Sequence, residues 1–115
     1  MKELLGIVPP TDSAGCLQDI HWAFGDFGYF PTYALGNLFA AQFFGTFTRQ
    51  HPDWSQRVSS GDLAFIRDFL KTNIHSLGKQ YGSESLVKRI SGKPLSETAY
   101  CNYLKNKYSE IYDLD

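Results

Sequence analysis

The stretch YFPTYALGNLFAAQFFGTFTR, from Tyr29 to Arg49, decides the fold class of this chain. Pro31 suits the first turn of a helix, where its missing N–H group loses no hydrogen bond. After it, apolar residues fall on every side of a helix instead of alternating as they would along a strand. A helix that is apolar all round is normally buried all round. The stretch therefore predicts one long buried helix, which a chain of 115 residues has few other elements to surround.

Shorter helices are predicted on both sides of the long one. Their ranges are 1–5, 53–59, 61–74, 83–90 and 96–112. Gly6 ends the first of them, while Ser60 and Ser96 suit the N-caps of the third and the fifth. Residues 11–28 are irregular, and neither an alternating strand pattern nor an internal repeat occurs in the sequence. We therefore expect an all-α fold in which residues 1–115 form a single helical region.

The composition argues against several classes of partner. The formal net charge of −1 and the isoelectric point near 6.3 give no basic field that would attract nucleic acid or an anionic membrane. No apolar run reaches the roughly 18 residues that a membrane span needs, and the opening MKELLGIVPP is too weakly apolar for a secretory signal. Cys16 and Cys101 fit no CxxC pattern. These features predict a soluble, cytoplasmic protein that binds neither nucleic acid nor membrane.

The histidines do not predict a metal site. No two of His21, His51 and His75 are spaced at i+3 or i+4, and no HExxH motif occurs. Because a catalytic zinc ion needs about three protein ligands, only a site assembled from all three histidines stays open. Nucleophilic catalysis is not favoured either, since Cys16 lies five residues before His21 in a loop that fixes no geometry. A small buried thiol is the preferred interpretation of Cys16.

The junction between the irregular segment and the long helix carries the most hydrogen-bonding side chains. Asp19 precedes His21 by two residues and could orient its imidazole. Tyr29 and Tyr33 are four residues apart at the start of the helix, so their hydroxyl groups would project toward one side. Imidazole and phenol groups can stabilise a developing oxyanion. The alternative, which composition alone favours, is that Trp22, Tyr29 and Tyr33 are core aromatics with satisfied polar tips.

Three short motifs in this region and at the end of the chain resemble a known family. GCLQDIHW, from Gly15 to Trp22, resembles the GxxQDxHW motif of the M32 metallocarboxypeptidases, the carboxypeptidase Taq group. FGYFPTYALGN, from Phe27 to Asn37, is similar to the FGYFPTYxLG segment that follows it there. YLKNKY, from Tyr103 to Tyr108, resembles the family's YLKxKY ending. The resemblance covers essentially the whole chain, but only the C-terminal portion of the family protein.

The resemblance implies a zinc-dependent peptidase that hydrolyses C-terminal residues from peptides. In the family, a HExxH helix upstream of this region holds the zinc ion, so the resemblance implies that zinc is a cofactor of the full-length enzyme and that this chain binds none. It also implies that His21 and Tyr33, with Tyr29 as a weaker candidate, act on the substrate or on the tetrahedral intermediate. The substrate-binding residues it implies are Gln18, Asp19 and Trp22. The expected partners are the missing N-terminal zinc-bearing portion and the C-terminus of a peptide substrate.

A second interpretation makes the chain a non-catalytic helical remnant or interaction module. MKELLGI resembles a helix end inside the family sequence, so we expect the chain to start mid-protein and to be inactive alone. The apolar surface of the helix from Phe30 to Phe47 would then have lost its cover. Because large exposed apolar patches tend to associate, we expect the chain to self-associate or to bind a partner through that helix.

Overall fold

The structure, a computed structural model, describes residues 2–114. These residues form helices and turns without a strand, which confirms the predicted all-α fold. Met1, the predicted first residue of the first helix, lies outside the described residues. Within residues 2–114 there are six α-helices: α1 (Lys2–Leu5), α2 (Phe30–Gln50), α3 (Trp54–Ser59), α4 (Ala64–Asn73), α5 (Ser83–Ser91) and α6 (Thr98–Tyr112). Short 3-10 turns lie at Asp12–Ala14, Cys16–Gln18, Trp22–Phe24 and His75–Leu77.

The long predicted helix is α2, and both of its ends lie within one residue of the prediction. Its buried residues, Gln42, Thr46 and Phe47, all belong to its second half. The first half is open: Tyr33 is 52% exposed and Leu35 is 45% exposed. Within this chain, therefore, the helix is covered over only part of its length.

The predicted helix over 61–74 begins later than expected, and Ser60 does not cap it. The Ser60 hydroxyl donates to the Arg57 carbonyl at the end of α3, and Gly61 has a φ of +83°, which ends the helical path. The α4 helix starts only at Ala64, whose N–H group donates to Asp62 Oδ1 over 3.3 Å. Ser96 behaves more nearly as predicted, because its Oγ accepts a hydrogen bond of 3.2 Å from the Thr98 N–H group at the start of α6.

The chain divides into two compact units, one up to Tyr33 and one from Ala34 onward. In the first unit, none of the described residues 2–33 is buried. The second unit has a small aromatic core of Phe47, Phe65 and Phe69 from α2 and α4. The partly buried side chains around that core are Trp54, Val58, Ile66, Leu70 and Ile90. None of the helices over residues 2–114 is both long and apolar enough to cross a bilayer.

Candidate substrate-binding and catalytic site

The backbone of His21 is fixed by its neighbours in the first unit. Its N–H group donates to Asp19 Oδ1 over 3.0 Å. Its carbonyl accepts hydrogen bonds from the N–H groups of Phe24, at 3.1 Å, and Asp26, at 2.9 Å. An aspartate that bonds the backbone two residues ahead forms a local turn without help from regular secondary structure. The position of His21 is therefore set by its own loop.

The imidazole of His21 joins Asp19 to Tyr33. Its Nδ1 lies 2.6 Å from Asp19 Oδ1, and its Nε2 lies 3.0 Å from the Tyr33 hydroxyl. Hydrogen bonding from the His21 side chain, followed by that from its backbone, lowers the pKa of Asp19 below its ordinary value of 3.8. The carboxylate is therefore ionised at neutral pH. Three residues that the sequence singled out thus form one hydrogen-bonded chain.

Aromatic rings surround the same imidazole. Tyr29 stacks on it with ring centroids 5.7 Å apart and an interplanar angle of 20°, and Tyr33 meets it edge-on at 5.7 Å. Sequence reasoning missed Phe30, whose ring centroid lies 4.9 Å from that of His21. The available signal was its position three residues before Tyr33, because residues at i and i+3 share a helix face. Three aromatic rings therefore lie against the imidazole.

The other two predicted substrate-binding residues make their contacts elsewhere. Gln18 Nε2 donates to the Ser13 carbonyl, and the Trp22 ring packs against Phe27 with centroids 5.5 Å apart. Both nevertheless line a largely apolar hollow of about 670 Å³, to which Asp19 also contributes. The remaining lining residues are Cys16, Leu17, Ile20, Ala23 and Phe27. Asp19 therefore lies both beside the hollow and at the end of the hydrogen-bonded chain.

The structure corrects the interpretation of Cys16 as a buried thiol, because its side chain is exposed. The loop that carries it, like the rest of residues 2–33, contains no buried residue. Both ring nitrogens of His21 are bonded to Asp19 and Tyr33. A nucleophilic pairing of Cys16 with His21 has no support in this geometry.

The described residues do not fit a metal ion. Over residues 2–114, no group of three or more His, Cys, Asp or Glu side chains is close enough together to hold one. The two central residues of the hydrogen-bonded chain are partly open to solvent. The His21 side chain is 22% exposed and Tyr33 is about half exposed. The two side chains are open to an oxygen atom arriving from outside.

Comparison with known proteins places these residues in a family. Residues 1–108 match the family model of the carboxypeptidase Taq (M32) metallopeptidases. Carboxypeptidase 1 of Bacillus subtilis is 40% identical over 111 residues, and Thermostable carboxypeptidase 1 of Thermus thermophilus is 38% identical over 111 residues. Each comparison covers 96% of this chain and 22% of the relative, so the chain spans about a fifth of the length of these relatives.

A solved structure agrees with the sequence comparison. The crystal structure of the M32 carboxypeptidase from Deinococcus radiodurans superposes with a TM-score of 0.89 at 32% identity. The superposition covers 98% of this chain and 23% of that one. The fold and the sequence thus lead to the same assignment. This chain belongs to the carboxypeptidase Taq (M32) family of metallopeptidases.

Proposed function

We propose that this chain forms the C-terminal, substrate-contacting part of a zinc-dependent metallocarboxypeptidase that removes C-terminal residues from peptides. Membership of the M32 family, together with relatives named carboxypeptidases, supports the reaction class. The zinc ion is held by residues outside the described part of this chain, in a zinc-bearing portion that completes the fold. The chain alone has no peptidase activity, and the complete enzyme works in the cytoplasm.

The hydrogen-bonded chain from Asp19 through His21 to Tyr33 is the observation that carries this proposal. Peptide hydrolysis develops negative charge on the carbonyl oxygen, and donors held in place before the reaction stabilise that charge most effectively. Asp19 and the aromatic rings hold the imidazole, and the imidazole holds the Tyr33 hydroxyl. Tyr33 contacts the reacting oxygen or the peptide carboxylate, His21 acts on it through their hydrogen bond, and Tyr29 supports them by stacking.

The hollow next to this chain supplies the substrate-binding wall. Its apolar lining, with the polar edge formed by Gln18 and Asp19, is typical of sites that take an apolar side chain and orient its backbone. Trp22 contributes the largest ring of that lining. The peptide C-terminus therefore approaches between the hollow and the Tyr33 hydroxyl, with the missing portion of the fold closing the other side.

A chimeric enzyme tests the catalytic roles. The matching 111 residues of the Bacillus subtilis carboxypeptidase 1 are replaced by those of this chain, and release of the C-terminal residue from a blocked dipeptide is measured. We expect His21→Ala and Tyr33→Phe each to lower kcat/KM by roughly 10²- to 10³-fold, the loss typical of removing one oxyanion donor. Tyr29→Phe keeps the stacked ring and should cost much less.

The controls for this assay are residues of the same types far from the site in sequence. His75→Ala and Tyr112→Phe alter exposed residues of the second unit and should leave kcat/KM unchanged. An active chimera in which the His21 and Tyr33 variants behave like these controls would show that the two residues only pack. Zinc added to the isolated chain should produce no hydrolysis, whereas mixing it with a zinc-loaded upstream portion should.

Self-association through α2 is a second candidate role, favoured by its exposed apolar side chains. Leu35 is 45% exposed and Phe44 is 42% exposed. Sedimentation velocity at rising concentration should show dimers or larger species, and Leu35→Glu should reduce them. A chain that stays monomeric at high concentration would remove this candidate.

A further inference from the structure

The hydrogen bonds around His21 determine where its proton lies. The backbone N–H group of His21 can only donate, so Asp19 Oδ1 accepts it at 3.0 Å. The same oxygen lies 2.6 Å from Nδ1. An ionised carboxylate has no proton to give, so Nδ1 must carry the proton of that bond. In a neutral imidazole only one nitrogen is protonated, which leaves Nε2 as an acceptor.

The Tyr33 hydroxyl must therefore donate when His21 is neutral. Nε2 lies 3.0 Å from Tyr33 Oη, and with no proton on Nε2 the only hydrogen available for this bond is that of the phenol. The hydroxyl proton then points at the imidazole, and the exposed side of Tyr33 presents oxygen lone pairs. Lone pairs repel an oxyanion or a peptide carboxylate. A neutral His21 thus leaves this pair with no donor for the substrate.

A proton taken from solvent at Nε2 reverses this bond. Both ring nitrogens are then donors, Nδ1 to Asp19 and Nε2 to Tyr33 Oη. The phenol oxygen becomes an acceptor, and its own proton is free to turn outward. The Asp19 carboxylate offsets the positive charge of the ring. The titratable groups that contact the ring are Asp19, Tyr29 and Tyr33, and Asp26 bonds the His21 carbonyl through its backbone.

We propose that Asp19 is a positioning residue that sets the direction of the hydrogen bond between His21 and Tyr33. Neutral His21 draws the Tyr33 proton inward, and protonated His21 releases it outward as a donor to an anionic oxygen. The consequence for a peptide rests on the proposed function, whereas the direction of the bond does not. Only the charged form of His21 makes Tyr33 a donor.

Nitrogen NMR on the isolated chain tests the direction of the bond. In long-range ¹H–¹⁵N spectra, Nε2 couples to both ring protons and Nδ1 mainly to one, so the protonated nitrogen is identified directly. At alkaline pH, where unperturbed imidazoles are neutral, we expect His21 to be protonated at Nδ1. His51 and His75 serve as internal references. Protonation of neutral His21 at Nε2 would overturn the proposal.

Two variants test whether Asp19 and Tyr33 determine the hydrogen bonding of the His21 ring nitrogens. Asp19→Ala should lower the fraction of neutral His21 protonated at Nδ1, and Asp68→Ala, at an exposed carboxylate on α4, should not. Tyr33→Phe should shift the Nε2 resonance while Nδ1 stays protonated, and Tyr112→Phe should leave both unchanged. An unaltered Nδ1 fraction in Asp19→Ala, or an unmoved Nε2 resonance in Tyr33→Phe, would overturn the proposal. If Asp19→Ala fails to fold, the wild-type spectrum and Tyr33→Phe decide.

The chimeric enzyme separates this inference from the proposed function. If neutral His21 is protonated at Nδ1 but the active chimera tolerates His21→Ala and Tyr33→Phe, the proposed function alone is contradicted. Protonation at Nε2, with a chimera that loses activity in both variants, contradicts this inference alone. In a chimera that supports both, the kcat/KM of Asp19→Ala relative to wild type should rise with pH, because a neutral His21 without Asp19 can carry its proton on Nε2, donate to Tyr33 Oη and leave the Tyr33 proton free to point outward. Loss of activity that is equal at every pH would contradict the positioning role.

Discussion

Gln42 Nε2 donates a hydrogen bond to Ser91 Oγ over 2.9 Å, although 49 positions separate the two residues in sequence. The same amide reaches the carbonyls of Lys93, at 3.3 Å, and Pro94, at 2.9 Å, while Gln42 Oε1 accepts from the Ser96 N–H group at 3.1 Å. One buried side chain of α2 thus satisfies the backbone of the turn between α5 and α6. Because that turn lacks the regular backbone hydrogen bonds of a helix or a sheet, Gln42 holds its conformation.

We expect Gln42→Leu to destabilise the chain. Leucine has a similar size but removes the partner of the Ser96 N–H group and of the Pro94 carbonyl, while the Lys93 carbonyl keeps its bond from the Ser91 hydroxyl. Each lost hydrogen bond costs about 0.5–1.5 kcal/mol. Urea unfolding followed by circular dichroism measures the change in the free energy of unfolding. Gln50→Leu, at the exposed end of the same helix, is the matched control. Equal stability of the two variants would show that water replaces the Gln42 bonds.

Phe47 should be the most sensitive position of the aromatic core. It is 4% exposed, and its ring centroid lies 5.3 Å from those of both Phe65 and Phe69. Phe→Ala at such a position costs about 3–5 kcal/mol, so Phe47→Ala should strongly lower the free energy of unfolding. Phe47→Leu should give a folded chain with a lower Tm. Phe24→Ala, at an exposed ring, should change the stability by about 0.5 kcal/mol or less.

Substitution by alanine should change the stability in opposite directions at two glycines. Gly92 ends α5 with a φ of +77°, and its N–H group donates to the Lys88 carbonyl over 2.9 Å. Alanine there is strained by about 1–2 kcal/mol, so Gly92→Ala should lower the Tm. Gly36 lies inside α2 with no heavy atom within 4 Å of an added Cβ, and Gly36→Ala should raise stability by about 0.5–1 kcal/mol. A rise in both variants would contradict the strain assigned to Gly92.

The pairing of Arg57 with Asp62 predicts a pH dependence of stability. Arg57 Nε and Nη2 donate to Asp62 Oδ2 over 2.9 and 2.7 Å, and these bonds lower the pKa of Asp62 below 3.8. A carboxyl whose pKa is lower in the folded state stabilises it above the unfolded pKa. That contribution disappears as the pH falls through the lowered value.

The comparison of Arg57→Leu with wild type measures this effect. The difference in unfolding free energy should be largest at neutral pH and should shrink below pH 3.8, the ordinary pKa of the carboxyl. It should not vanish, because Arg57 Cζ also lies 3.8 Å above the centre of the Phe65 ring, a contact independent of Asp62. Arg67→Leu, at an exposed ion pair with Asp68, should show almost no pH-dependent loss.

Local sequence signals predicted the helices well where nothing distant competes. The α2 helix lies within one residue of its predicted range because its apolar content and Pro31 act within the segment itself. The predicted start of α4 was wrong because Ser60 completes the preceding helix and Gly61 adopts a positive φ. The pattern of apolar residues gives no information on either feature.

The candidate site was predictable only in part for a related reason. The pairing of Asp19 with His21 is a contact between near neighbours, and spacing alone suggested it. The bond between His21 and Tyr33 spans 12 positions and depends on the 3-10 turn at Trp22–Phe24. No periodic pattern in the sequence predicts that turn. Phe30 was missed although it lies three residues before Tyr33, because an aromatic residue inside an apolar run is first interpreted as a core residue.

The first unit holds its hydrogen-bonded chain without a buried residue among positions 2–33. Elements with few buried apolar contacts open at almost no free-energy cost, so the backbone amides around His21 should exchange with solvent deuterium far faster than those around Phe47. The local hydrogen bonds around His21 hold this unit in the isolated chain, and a protein surface that packed against it would slow its amide exchange. Under the proposed function, part of the binding free energy would offset the entropy cost of restricting the loop, so that docking and assembly of the site would be coupled.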